Sequence, residues 1–143
     1  MVRKKQGCSR PYFLNMYIVD SDILIWVLRK NKTFIDLYKS LRHETVVSIS
    51  TLTVAEIYKN ILPHEFTDTE DLMQNFKIWD VTTSIAKQGG LYWQKYSKKF
   101  KNIHIFDCII AATAKEYELK VVTLNTRHFP MPDIKVLEPL TKK

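Results

Sequence analysis

A chain of 143 residues, 45% apolar and 26% charged, fits one globular domain long enough to bury a core without covalent staples. Low-complexity scaffolds are excluded, and no apolar run reaches the length of a membrane span. The net charge of +7 does not imply a generic polyanion binder. Arg3, Lys4, Lys5 and Arg10 at one end and Lys142 and Lys143 at the other leave residues 16–141 at +1.

Residues 1–15 read as a basic appendage, and Met16 would serve as a start equally well. The basic opening followed by MYIVDSDILIWVL loosely imitates a signal peptide. Asp20 and Asp22 interrupt the apolar run, however, and no small-residue cleavage site follows. The cytoplasm is therefore the expected compartment. Cys8 and Cys108 lie a hundred positions apart without metal-type spacing and read as reduced thiols.

MYIVD is the first strand. Helical patterns follow at 22–29 and 32–41, then a strand at 45–49. Ser50, Thr51 or Thr53 caps a helix running to about Asn60. Beyond Pro63, DTEDLMQNF is a short helix and KIWDV (77–81) a third strand. Thr82 or Thr83 opens a long helix to about Lys99, in which Gly89-Gly90 marks a kink or a close packing contact. A helix over 107–118, the strand KVVTL and a last short strand at 134–138 complete the chain.

Apolar strands alternating with helices predict a three-layer α/β/α domain spanning 16–140, with a mainly parallel sheet of four to five strands. In such sheets ligands gather beyond the carboxyl ends of the strands. Asp20 and Asp22 follow strand one, Glu56 lies on the helix after strand two, Asp107 heads the helix before KVVTL, and Asn125 follows that strand. Asp107 alone would pass as a helix cap and Asn125 as a turn former. Four separate segments aimed at one end of a sheet argue for a shared site.

YIVDSDILI, TLTVAEIYKN, IFDCIIAATAKEYEL and VVTLNTRHF together resemble the PIN-domain nucleases, most of all the VapC-type toxins of VapBC toxin–antitoxin systems. The resemblance spans residues 16–140 in order, with intervals of 36, 51 and 18 residues separating Asp20, Glu56, Asp107 and Asn125. It implies that Asp20, Glu56 and Asp107 bind metal, that Asn125 completes a T-x-N turn, and that Thr123 and Ser21 are supporting hydroxyls. It further implies an endoribonuclease dependent on Mg²⁺ or Mn²⁺ that leaves a 5′-phosphate and a 3′-hydroxyl, a homodimer, and a small antitoxin as partner. Two positions depart from many relatives: Asp22 adds an acid where Ser, Thr or Asn is frequent, and His128 replaces an Asp. A lone His beside Phe129 reads as a surface or structural residue.

The chemistry is arguable without the family. Hard divalent cations take oxygen ligands, and crowded carboxylates repel one another unless a cation is present. Such a cation lowers the pKa of water and stabilises charge on a phosphodiester. Neither a Ser or Cys nucleophile with a neighbouring base nor a phosphate-binding glycine loop stands out. Lys95, Lys98, Lys99 and Lys101 read equally as a solvated helix end or as a phosphate-facing patch, with Arg127 as a further RNA contact.

Two rivals stay open. IVDSDIL is also a strand followed by D-x-D, as in haloacid-dehalogenase-like phosphatases, with Asp20 as nucleophile and Asp22 as acid/base. That leaves Glu56 and Asp107 idle. The second rival is a catalytically inactive module that binds RNA or protein; a complete set of acids argues against it. Trp26, Phe34, Leu37 and Tyr38 near the first helices are either core or an interaction surface for a second copy and a partner.

Overall fold

The computed structural model describes residues 16–139. The basic segment 1–15 and Leu140, the last residue of the expected domain, lie outside the described residues. The elements run β1 (Tyr17–Val19), α1 (Ser21–Leu28), α2 (Lys32–Glu44), β2 (Val47–Ser50), α3 (Thr51–Asn60), α4 (Phe66–Met73), β3 (Lys77–Trp79), α5 (Thr83–Tyr96), α6 (Ile105–Tyr117), β4 (Lys120–Val122) and β5 (Lys135–Leu137). Two 3-10 turns, Pro63–Glu65 and Thr126–His128, join them.

All five strands pair in parallel, in the order β3-β2-β1-β4-β5. The sheet is thus entirely parallel, where the sequence allowed an exception. Successive side chains of a strand point to opposite faces. Ile18 and Val121 accordingly join the core under α5 and α6, with Ile85, Tyr92, Ile110 and Ala111. Tyr17, Val19 and Val122 join the core under α1, α2 and α3, with Leu24, Phe34, Tyr38 and Ile57. Both faces are covered, which is why the strands read as continuous apolar runs.

Boundaries moved where pairing and caps decide them. The strands expected at 45–49, 77–81, KVVTL and 134–138 shrink to three or four residues, because a ladder ends where its neighbour ends. Asn31 caps α2, which continues to Glu44 rather than stopping at 41. Ser50 caps α3 by accepting from Leu52 N over 3.1 Å, and Thr82 caps α5 by accepting from Ile85 N over 3.1 Å. Pro63 opens a 3-10 turn, so α4 starts at Phe66, two residues early. The helix expected from Thr82 or Thr83 to Lys99 ends at Tyr96. A Cβ on Gly89 would lie 2.7 Å from Ile109 Cγ1, so that glycine is a packing contact between α5 and α6.

Among the described residues no helix is long and apolar enough to cross a membrane. Phe34 and Tyr38 are core residues, and Leu37 packs against the same cluster. Trp26 stacks on Phe34 with centroids 5.9 Å apart while remaining 47% exposed. Only Trp26 of that group offers a sizeable free surface.

Candidate active site

β1 runs to β2 and β3 on one side, and the chain then returns to place β4 on the other side of β1. The strand order therefore reverses between β1 and β4, and a parallel sheet opens a crevice at that point, beyond its carboxyl ends. Asp20 leaves β1 there and is pinned by its own N–H, which donates to Val122 O over 3.0 Å. Thr123 and Asn125 leave β4 beside it. A cavity of about 250 Å³ lined by Lys115, Lys120 and Lys135 lies at the opposite ends of β4 and β5. Its Asp133 is already paired with Lys115 over 2.7 Å.

Asp20 is the N-cap of α1: its Oδ1 accepts from Ser21 N over 2.9 Å, and its Oδ2 accepts from the buried Thr123 hydroxyl over 2.9 Å. The Thr123 oxygen in turn accepts from Asn125 N over 3.0 Å, which shapes the T-x-N turn. Asp22, one residue into α1, turns its Oδ2 to Leu124 N (3.2 Å) and to the Asn125 amide (2.9 Å). Ser21 donates its hydroxyl to Glu56 Oε1 over 3.0 Å, linking α1 to α3. Ser21, Thr123 and Asn125 thus act as holders of three different acids.

Asp107 was expected to open its helix. α6 instead starts two residues earlier, at Ile105, with His104 as N-cap. Asp107 stands in the third position, where Oδ2 accepts from His104 N over 3.0 Å. It is a cap in that sense and a site residue as well, since the same Oδ2 lies 3.3 Å from His128 Nδ1. The only local sign of this contact is the position of His128, three residues after Asn125 and next to the buried Phe129.

Electrostatics tie the acids together. Burial, which disfavours a bare charge, pushes Asp20 above the usual carboxylate range, and the Asp107 charge adds to the rise. Burial is also the main cause of the rise at Asp107, with Glu56 contributing. Asp22 is pushed up to about 7, first by burial and then by the charge of Asp20. The four carboxylates form one field. As the side chains stand, however, no three His, Cys, Asp or Glu among the described residues converge closely enough to hold a metal ion. Each acid is drawn to a hydrogen-bond donor of the protein, and holding a cation requires some of them to turn inward.

The residues fit a hard dication on two grounds. The donors are oxygens, which Mg²⁺ and Mn²⁺ take. Asp22 Oδ1 is also buried without a hydrogen-bond partner, an arrangement that is costly for a carboxylate unless a proton or a cation meets it. Asp20, Asp107 and Glu56, with Asp22 beside them, are the residues that would hold the ion.

The lysines lie elsewhere. Lys95, Lys98, Lys99 and Lys101 are exposed on the end of α5 and the connection leading to His104. Lys95 and Lys99 sit over the rings of Tyr96 and Phe100, at 5.5 and 5.8 Å. Arg127 is exposed on the 3-10 turn beyond β4.

The family model of the PIN domain matches residues 17–134, the span that carries all but the last strand of this sheet and its acids. The chain belongs to the PIN-domain family. Within it, the chain is homologous to the VapC ribonucleases: Ribonuclease VapC10 of Mycobacterium tuberculosis is 34% identical over 116 residues, covering 81% of this chain and 87% of the relative. Among solved structures, a toxin–antitoxin complex from Klebsiella pneumoniae matches with a TM-score of 0.70 at 25% identity, covering 87% of this chain and 98% of that one. DNA-bound VapBC from Salmonella typhimurium matches with a TM-score of 0.71 at 24% identity, covering 87% and 97%. The dehalogenase-like reading falls with this match. It left Glu56 and Asp107 idle, whereas Glu56 is held by Ser21 and Asp107 shares a field with Asp20.

Proposed function

We propose that this chain is a VapC-type ribonuclease toxin and that it cleaves single-stranded or looped RNA at a cation held by Asp20, Glu56 and Asp107. The single observation that carries the reading is the shared electrostatic field of acids from α1, α3 and α6 at the strand-order reversal. Like charges buried together without a partner are expensive, and a site that keeps them has use for a cation.

A dication bound there supplies Lewis acidity toward a phosphodiester oxygen and makes water a better nucleophile. The protein's own residues do the rest. Thr123 and Ser21 N fix the Asp20 carboxylate, Ser21 Oγ fixes Glu56, and Asn125 fixes Asp22 beside Asp20. Acids already tethered beside the site have less left to order when some of them turn toward a cation. The exposed Lys95, Lys98, Lys99 and Lys101, and Arg127, contact backbone phosphates of the bound RNA.

The relatives solved as toxin–antitoxin complexes support a small protein antitoxin as partner. Exposed Trp26, Leu62 and Phe66 are apolar surface available to such a partner. A homodimer and a cytoplasmic location complete the reading. The test is incubation of purified protein with a single-stranded RNA. Cleavage is expected with Mg²⁺ or Mn²⁺, with 5′-phosphate and 3′-hydroxyl ends, and none in excess EDTA. Cleavage that persists in EDTA contradicts the cation mechanism. RNA binding without cleavage under any dication favours an inactive binding module.

A further inference from the structure

Every site group described so far offers oxygen, and His128 is the exception. Its backbone position is fixed by the 3-10 turn: His128 N donates to Asn125 O over 2.9 Å, and the next residue, Phe129, is buried in the core. The side chain is 26% exposed, with Nδ1 3.3 Å from Asp107 Oδ2. A positive charge there would lower both Asp107 and Asp20, so the ring lies within electrostatic range of both acids. Among the ring contacts of the described residues, its neighbour is His104, edge-on with centroids 6.4 Å apart.

Two donor atoms on adjacent positions of a six-coordinate cation of this size sit about 3 Å apart, since each lies about 2.1 Å from the ion. The Nδ1–Oδ2 pair is close to that spacing. An imidazole nitrogen is a poor ligand for Mg²⁺ and a good one for first-row transition dications, with affinity rising from Mn²⁺ to Co²⁺. We infer that His128 is a nitrogen ligand to the cation held by Asp107 and Asp20, and that it biases this site toward transition-metal dications and away from Mg²⁺. The inference rests on the cation-dependent reading of the site and names which cation the site prefers. An ordinary ion pair between His128 and Asp107 is the competing account, and it makes a different forecast. A mere counter-charge blocks or supports all dications alike, whereas a ligand changes their ratio.

Metal-free protein is titrated with MgCl₂, MnCl₂ and CoCl₂, with heat of binding and melting temperature as readouts, in the unaltered chain, His128→Asp and His128→Ala. The Co²⁺-over-Mg²⁺ affinity ratio is expected to fall about tenfold in both variants, with Mg²⁺ affinity kept or improved in His128→Asp. Bound Mn²⁺ should also show ¹⁴N modulation in its electron spin echo, and this should vanish in both variants. A ratio that stays constant across the three proteins, or the absence of ¹⁴N modulation in the unaltered chain, overturns the inference. Cleavage of RNA with an unchanged ratio would overturn it while leaving the nuclease reading intact. Failure of every dication to bind the unaltered chain would overturn both.

Discussion

The Asn125 side-chain amide donates to Asp22 Oδ2 over 2.9 Å and so ties the turn beyond β4 to the first turn of α1. The same oxygen receives Leu124 N, while Asp22 Oδ1 stays buried and unpartnered. Two donors on one oxygen and an orphan on the other leave the Asp22 carboxylate held but not neutralised. The thermodynamic consequences are measurable without any RNA.

The first concerns pH. Asp22 is pushed up to about 7 by burial and by Asp20. Between the ordinary carboxylate range and that value, the folded chain binds a proton that the unfolded chain has lost. Stability therefore falls as pH rises through this window, and it is fully present below it. Urea unfolding in EDTA at pH 5 and pH 7.5 should show a loss on the order of a few kcal/mol at most. Asp22→Asn should remove much of that slope, and Mn²⁺ at pH 7.5 should restore stability to the unaltered chain. A slope unchanged by Asp22→Asn would contradict the assignment.

Thr123 offers a second test. Its hydroxyl, fully buried, donates to Asp20 and accepts from Asn125 N. Thr123→Val keeps the shape and deletes both bonds. It should cost about 1–3 kcal/mol in the folded chain, measured by denaturant unfolding. It should also raise the cation concentration needed for half-maximal cleavage.

The two glycines of α5 make opposite forecasts. A Cβ on Gly89 meets Ile109 Cγ1 at 2.7 Å and its Cα at 3.1 Å, so Gly89→Ala must push α5 off α6. Overpacking of this kind costs about 1–3 kcal/mol. A Cβ on Gly90 has nothing within 4 Å, and Gly90→Ala should stabilise the helix by roughly 0.5–1 kcal/mol. Melting temperatures of the pair decide the matter, and equal effects would refute the packing argument.

These cases mark what the sequence made legible. The Gly89-Gly90 pair was visible as a kink or a contact, but only the three-dimensional structure separates the glycine that touches from the one that does not. The element order and the parallel sheet follow from apolar runs and cap residues, which are local signals, and the strand-order reversal then sets Asp20 beside Thr123 and Asn125. What was illegible is set by long-range partners. The strands end where their neighbours end, and α6 starts at Ile105 behind His104, a residue that is not a usual N-cap, with Asp107 closing the cap from the third position. Ser21 meets Glu56 across 35 positions, and His128 meets Asp107 through a turn whose shape depends on Thr123.

The lysines test substrate contact separately from chemistry. Lys98 and Lys99 are exposed and outside the acid network. Lys98→Ala and Lys99→Ala should weaken RNA binding and flatten its dependence on salt, roughly by one counterion each, with turnover at saturating RNA preserved. A loss of turnover with binding intact would place them in the reaction itself.

In the proposed mechanism the acids of α1, α3 and α6 hold the cation that makes cleavage possible. The most direct measurement is single-turnover RNA cleavage by Asp107→Asn in Mn²⁺, beside the binding of the same RNA and the unfolding curve. Asparagine keeps the size of the side chain and an oxygen able to accept from His104 N. The account predicts a fall in rate of several orders of magnitude with RNA affinity and stability near those of the unaltered protein. Cleavage by Asp107→Asn at full rate would contradict it and leave Asp107 the modest task of capping α6.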